Sequence, residues 1–113
     1  MSSIQAVCVG VITIDTIALV DKYPTADERV IAQEISRAGG GPAAVAAVAL
    51  SRLGIRSAIV GTIGDDADGK EVLRIFEKEG VDTSGISIGT SATAGSVIAV
   101  SYTHLRAHET VLD

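Results

Sequence analysis

Three consecutive glycines, Gly39 to Gly41, stand directly ahead of an alanine-rich run that opens with Pro42. The first backbone N–H groups of a helix have no partner within it, so a helix entered this way accepts an anion or a hydroxyl oxygen at close range. Glycine suits such an entry because no Cβ holds the ligand away. The same cluster also serves as a sharp, flexible entry for the chain, and on its own it leaves the two readings even. Asp15 is the second candidate. It closes the apolar run QAVCVGVITID, which puts it at the carboxyl end of a first strand, the edge where open α/β sheets hold their ligands. A carboxylate there accepts two hydroxyl hydrogens from a polyol; its plainer role would be to cap a turn.

Other spacings imitate known chemistry and fail on context. Gly39, Gly41 and Ala44 satisfy the G-x-G-x-x-A form of a dinucleotide fingerprint, with Asp65 at the right sort of distance for a ribose. That fingerprint needs a buried strand running into the glycines, whereas the preceding EISRA is polar, and this argues against a dinucleotide-dependent oxidoreductase. A G-x-x-x-x-G-K-[ST] phosphate loop does not occur. Asp65, Asp66 and Asp68 in GDDADG suit the start of a helix better than a metal, as caps and partners of its dipole. His104 and His108 are four apart, a zinc-like spacing, yet the chain has no third histidine and no cysteine near them to complete a site. Cys8, the single cysteine, lies in an apolar run without a base or positive charge beside it, and reads as an inert buried thiol.

The elements that must position these residues follow from periodicity and punctuation. QAVCVGVITID is rich in β-branched residues without strict alternation, and reads as a strand buried on both faces, central in a parallel sheet. Ile17 to Tyr23 and Arg29 to Arg37 form a more polar pair of extended pieces joined by Pro24, Thr25, Ala26 and Asp27, a hairpin projecting from the main sheet. A helix is predicted from Pro42 to Leu53, with proline at its first position and Gly54 just past its end. Ser57 to Thr62 is a short strand, and Gly64 and Gly69 serve a turn and close packing. Ala67 to Glu79 carries Val72, Ile75 and Phe76 at helical spacing and is closed by Gly80. Gly95 to Tyr102 is one further strand. This order indicates a layered α/β domain with right-handed crossovers.

Composition narrows the function classes. The 113 residues hold one modest domain, 47% hydrophobic but with one Phe, two Tyr and no Trp, so the core is built of Ala, Val, Ile and Leu. A net charge of −5 without a basic cluster argues against nucleic acid as a partner. The apolar stretch around the alanine run is interrupted by Ser51 and Arg52 and falls short of a membrane span, so a cytoplasmic protein is expected.

Taken together, CVGVITID, AGGGPAAVAAVALSRLG and IVGTIGDDADGKEVLRIFEKEGVDTSGI resemble the N-terminal third of the ribokinase-type (PfkB family) carbohydrate kinases, over about residues 6–100. Within that family the GGGPAA variant is most similar to kinases of the sulfofructose kind. The resemblance implies a ribokinase-like α/β fold, truncated here: a central, mostly parallel sheet flanked by helices, with a small β lid drawn from about residues 16–38 and 94–100. Its members transfer the γ-phosphoryl of MgATP to a sugar hydroxyl, with an aspartate base and anion hole in a G-A-G-D motif near the C-terminus. That motif does not occur in this sequence. The resemblance therefore implies substrate roles here and no catalytic residue; ATP and Mg2+ would serve the full-length protein and bind this chain poorly.

By the same resemblance Asp15 holds sugar hydroxyls, Thr13 stands where ribokinases carry an asparagine, and Gly40 and Gly41 let the backbone approach the sugar. Pro42 replaces a lysine and Val45 a sugar-binding asparagine, which counts against ribose itself. A small-molecule sugar is the implied partner, together with a second copy paired through the lid; neither nucleic acid nor membrane is implied. The alternative to a kinase piece is a non-catalytic sugar- or nucleotide-binding module using the same helix entry. After Val100 the family pattern breaks, and residues 101–113, SYTHLRAHETVLD, read as a non-native tail similar to translated adapter sequence.

Overall fold

A computed structural model describes residues 3–101. Both histidines and all but the first residue of the expected non-native tail lie outside the described residues. The chain forms β1 (Ala6–Val9), β2 (Thr13–Val20), β3 (Glu34–Gly40), α1 (Pro42–Arg52), β4 (Ser57–Gly64), α2 (Ala67–Glu79), β5 (Asp82–Gly89) and β6 (Ala94–Ser101). The described residues divide between two compact units: residues 3–14 with Gly39–Gly95, and Asp15–Ala38 with residues 96–101.

The first unit is built on a three-stranded sheet in the order β1-β4-β5. Both pairings are parallel, with Cys8 opposite Ile59 and Ile63 opposite Ile88. Parallel neighbours need a crossover between them, which α1 and α2 provide. α1 begins with Pro42 at its N-terminal turn and stops at Arg52, followed by Leu53 and then Gly54 at φ 89°. α2 has Asp66 as N-cap, its carboxylate accepting from the Gly69 N–H at 2.8 Å, and ends on left-handed Gly80 at φ 76°. Val72 and Phe76, four apart on one face, are buried.

Both helices pack on the same face of the sheet. Ala44, Ala47, Val72 and Phe76 meet Ile59, Ile63 and Val81 in one cluster, with Cys8 and Ile86 packed against it. The alanines let α1 approach closely enough for the buried Ser57 hydroxyl to donate to the Ala47 carbonyl at 2.7 Å. The opposite face is bare: Val7 is 58% and Val9 71% exposed. The expectation of one strand, central and buried on both faces, is thus corrected. QAVCVGVITID contains two strands, β1 lies at the edge of its sheet, and its second face has no cover among the described residues. Cys8 is half-buried, not enclosed.

The second unit carries a three-stranded sheet in the order β3-β2-β6. The two expected extended pieces are displaced: β2 starts earlier, at Thr13, and β3 later, at Glu34. Between them, side chains organise the connection. Glu28 accepts from the Thr25 N–H at 3.2 Å and from Lys22 Nζ at 3.3 Å. Asp27 sits at φ 62°, a left-handed position that aspartate tolerates better than most residues. Gln33 donates its backbone N–H to Leu19 O at 2.7 Å and its amide to the Asp21 carboxylate. At the far end of β6, Ser101 Oγ donates to Asp21 O at 3.3 Å.

Candidate functional site

Asp15 lies on β2, half-buried, and Oδ1 of its carboxylate accepts a hydrogen bond from Ser96 Oγ at 2.8 Å. The strands that carry them, β2 and β6, are neighbours in one sheet. Gly95 explains how closely they run at this point: a Cβ there would stand 2.7 Å from the Ile14 carbonyl oxygen. Only glycine fits that approach. Asp15 is therefore an oriented carboxylate with an accessible side, suited to accept hydroxyl hydrogens.

The glycine run resolves into three different residues. Gly41 is the N-cap of α1 at φ 97°, and a Cβ on it would drive into the Val11 carbonyl oxygen. This glycine is required by the chain's own backbone, whatever ligand binds. A Cβ on Gly39 would meet only Ile75 Cδ1 at 4.0 Å, an ordinary contact. Gly40 is buried at the end of β3. No side chain caps the N-terminus of α1, and its first helical bond runs from the Val45 N–H to Gly41 O at 2.9 Å. The Val45 side chain is exposed and brings no hydrogen-bonding group to that turn. Thr13 is half-buried at the start of β2, directly after the Val11–Ile12 segment against which Gly41 packs. Thr13, Gly40, Gly41 and Val45 belong to the first unit and Asp15 to the second.

A second polar cluster sits at the carboxyl ends of β4 and β5. Asp66 accepts from Thr93 Oγ1 at 2.6 Å, the Thr93 N–H at 2.9 Å and the Gly69 N–H at 2.8 Å. The Thr93 hydroxyl in turn accepts from the Gly64 N–H at 2.9 Å. The bonds from Thr93, hydroxyl first, then those from backbone N–H groups, hold the Asp66 carboxyl below the usual carboxylate range. An open cleft of about 580 Å³ lies beside it, lined by Asp65, Asp66, Ile88 and the segment 89–92. Asp66 works as the sequence suggests, as a cap, and in addition ties the β5–β6 connection to α2. Nothing local to Asp66 signals Thr93, which is 27 residues away.

Among the described residues no group of three His, Cys, Asp or Glu side chains converges as a metal site requires. Nor does any described helix have the length and apolar character to cross a membrane.

Comparison with known proteins decides the family. The family model for pfkB family carbohydrate kinases matches residues 3–111. The chain belongs to the pfkB family. Among curated members it is 34% identical over 91 residues to ribokinase from Bacillus subtilis, covering 80% of this chain and 31% of that one. It is 35% identical over 89 residues to ketohexokinase from Mus musculus, covering 77% and 29%. An ATP-dependent ribose-1-phosphate kinase from Halopiger xanaduensis is 33% identical over 85 residues, covering 75% and 29%. The chain thus spans less than a third of the length of these pfkB relatives. Among solved structures, ribokinase from Thermotoga maritima superposes with a TM-score of 0.79 at 26% identity, covering 89% of this chain and 34% of that one. Fructokinase from Halothermothrix orenii gives a TM-score of 0.74 at 30% identity, covering 87% and 34%. The α/β, ribokinase-like fold read from the sequence is the one observed.

Proposed function

We propose that this chain is the sugar-binding N-terminal part of an ATP-dependent sugar kinase, which transfers the ATP γ-phosphoryl to a sugar hydroxyl. The observation that carries the reading is Asp15: a carboxylate in a pfkB-family chain, oriented by Ser96 and open on its other side. Thr13, Gly40, Gly41 and Val45, in the first unit, are further candidate sugar contacts by family resemblance, and the β3-β2-β6 sheet is the lid, through which two copies of the full protein pair. Val45 supplies apolar contact where an amide would supply direction, which favours a sugar other than ribose.

Phosphoryl transfer depends on positioning and on charges gathered around the phosphoryl group. The chain contains neither a G-A-G-D motif nor a phosphate loop. MgATP binding, the catalytic base and the anion hole therefore fall to the remainder of the protein, and the isolated polypeptide turns over no sugar. Incubating it with MgATP and a panel of pentoses and hexoses, and following sugar phosphate by phosphorus NMR, tests this. No sugar phosphate is expected, while equilibrium dialysis shows one sugar retained by the wild type and not by Asp15→Ala. Phosphorylation by the isolated chain, or equal retention by both proteins, would overturn the reading.

A further inference from the structure

β6 reads AGSVIAVS, and Ser96 is the hydroxyl in its apolar first half. The direction of its bond to Asp15 is not open to choice. An ionised carboxylate only accepts, so Ser96 spends its single O–H as donor to Oδ1 at 2.8 Å. The Ser96 oxygen keeps its lone pairs, and Ser96 is exposed. Asp15 Oδ2 has no hydrogen-bond partner among the described residues. Two acceptors therefore stand side by side on adjacent strands: Asp15 Oδ2 and Ser96 Oγ, both calling for an O–H donor from outside.

We infer that Ser96 positions Asp15 and, with it, selects sugars that present two neighbouring hydroxyls, one donating to Asp15 Oδ2 and the other to Ser96 Oγ. This rests on the sugar-site reading above and deepens it. A sugar lacking either hydroxyl leaves one acceptor unpaired, and unpaired polar groups discriminate more strongly than missing apolar contact. Ser96→Ala removes both the restraint on Asp15 and the second acceptor. Ser96→Thr keeps the hydroxyl on a residue type suited to a strand.

The test uses the 113-residue chain, with D-ribose, D-fructose and D-glucose and the monodeoxy analogues of each as probes, and affinities read from amide shifts in heteronuclear NMR. For the sugar that binds best, removing the hydroxyl that meets Asp15 weakens wild-type binding about tenfold, the weight of a hydrogen bond to a charged group, and removing the adjacent hydroxyl that meets Ser96 weakens it about fivefold, the weight of a neutral one. Ser96→Ala weakens the parent sugar to a similar degree, leaves one monodeoxy analogue unchanged, and so flattens the preference; Ser96→Thr restores it. Unchanged affinities in Ser96→Ala while Asp15→Ala loses binding would overturn this inference alone. A uniform loss over parents and analogues would reduce Ser96 to a structural role and overturn it too. Absence of binding by the wild type to every sugar would remove the sugar site and this inference with it.

Discussion

Replacing the glycines of the helix entry one at a time separates what the backbone needs from what a ligand needs. Gly41→Ala faces two costs. Its φ of 97° lies where a Cβ is strained, worth about 1–3 kcal/mol. The new methyl also meets the Val11 carbonyl oxygen, and relieving such overpacking costs about 1–3 kcal/mol more. The expected loss is therefore about 2–6 kcal/mol, against the ~5–15 kcal/mol that holds a small domain together. Gly54→Ala carries the strain alone, since it has φ 89° and open space around the added atom; about 1 kcal/mol is expected. Gly39→Ala has neither problem, with its nearest contact at 4.0 Å, and stays within ~0.5 kcal/mol of the wild type or gains slightly through a stiffer unfolded chain. Urea unfolding followed by circular dichroism gives the three midpoints. The order of stability Gly39→Ala, then Gly54→Ala, then Gly41→Ala is expected. Equal midpoints for Gly39→Ala and Gly41→Ala would refute the assignment of Gly41 to the backbone and return the whole run to ligand approach.

Phe76→Ala empties the largest side chain from the α2 side of a core that leaves it 3% exposed, and a loss of about 3–5 kcal/mol in the same unfolding assay is expected. Thr93→Val removes the acceptor for the Gly64 N–H and leaves that buried donor unpaired, at about 1–3 kcal/mol. Acid should find Asp66, Glu79 and Asp82, each held below its ordinary range by hydrogen bonds from Thr93, Arg52 and Ser84 respectively. Because their folded values are depressed, the stability they confer is present above about pH 4–5 and disappears as pH falls through the folded values. A urea midpoint that is flat near neutrality and declines below about pH 4, with a shallower decline in Asp66→Asn, is the expected profile. The bare face of β1 should bind a hydrophobic dye, and Val9→Lys should reduce dye binding without lowering the unfolding midpoint, since Val9 is 71% exposed.

Local chemistry accounts for what was legible in the sequence. α2 was readable to its ends because its cap, its apolar spacing and its terminating glycine all lie within the segment Asp66 to Gly80. α1, which has no side-chain cap, was readable from the proline at its start and Gly54 just past its end. β5 was not foreseen: DTSGISIG looks like loop chemistry, with Ser84 bonded to Asp82, and becomes a strand through its parallel register with β4. β1 differs from the expectation because apolar residues announce that they seek cover but not what supplies it, and among the described residues nothing covers its second face. At the site, the glycines were visible as residue types at a helix start, whereas Asp15, expected at the carboxyl end of the first strand, stands third in β2 because QAVCVGVITID divides into two strands. Their partners were not, because Ser96 lies 81 residues from Asp15 and the reason for Gly41 is a carbonyl at Val11. Both depend on which strands become neighbours.

The central claim is that this chain holds the sugar side of a kinase around Asp15. The most direct test is a map of sugar-induced amide shifts on the isotope-labelled polypeptide, wild type beside Asp15→Ala. Saturable shifts clustered at Thr13, Asp15, Gly40, Gly41 and Ser96 for one sugar, abolished by Asp15→Ala with its fold intact, are the predicted result. Shifts elsewhere, or the same shifts in both proteins, would contradict it.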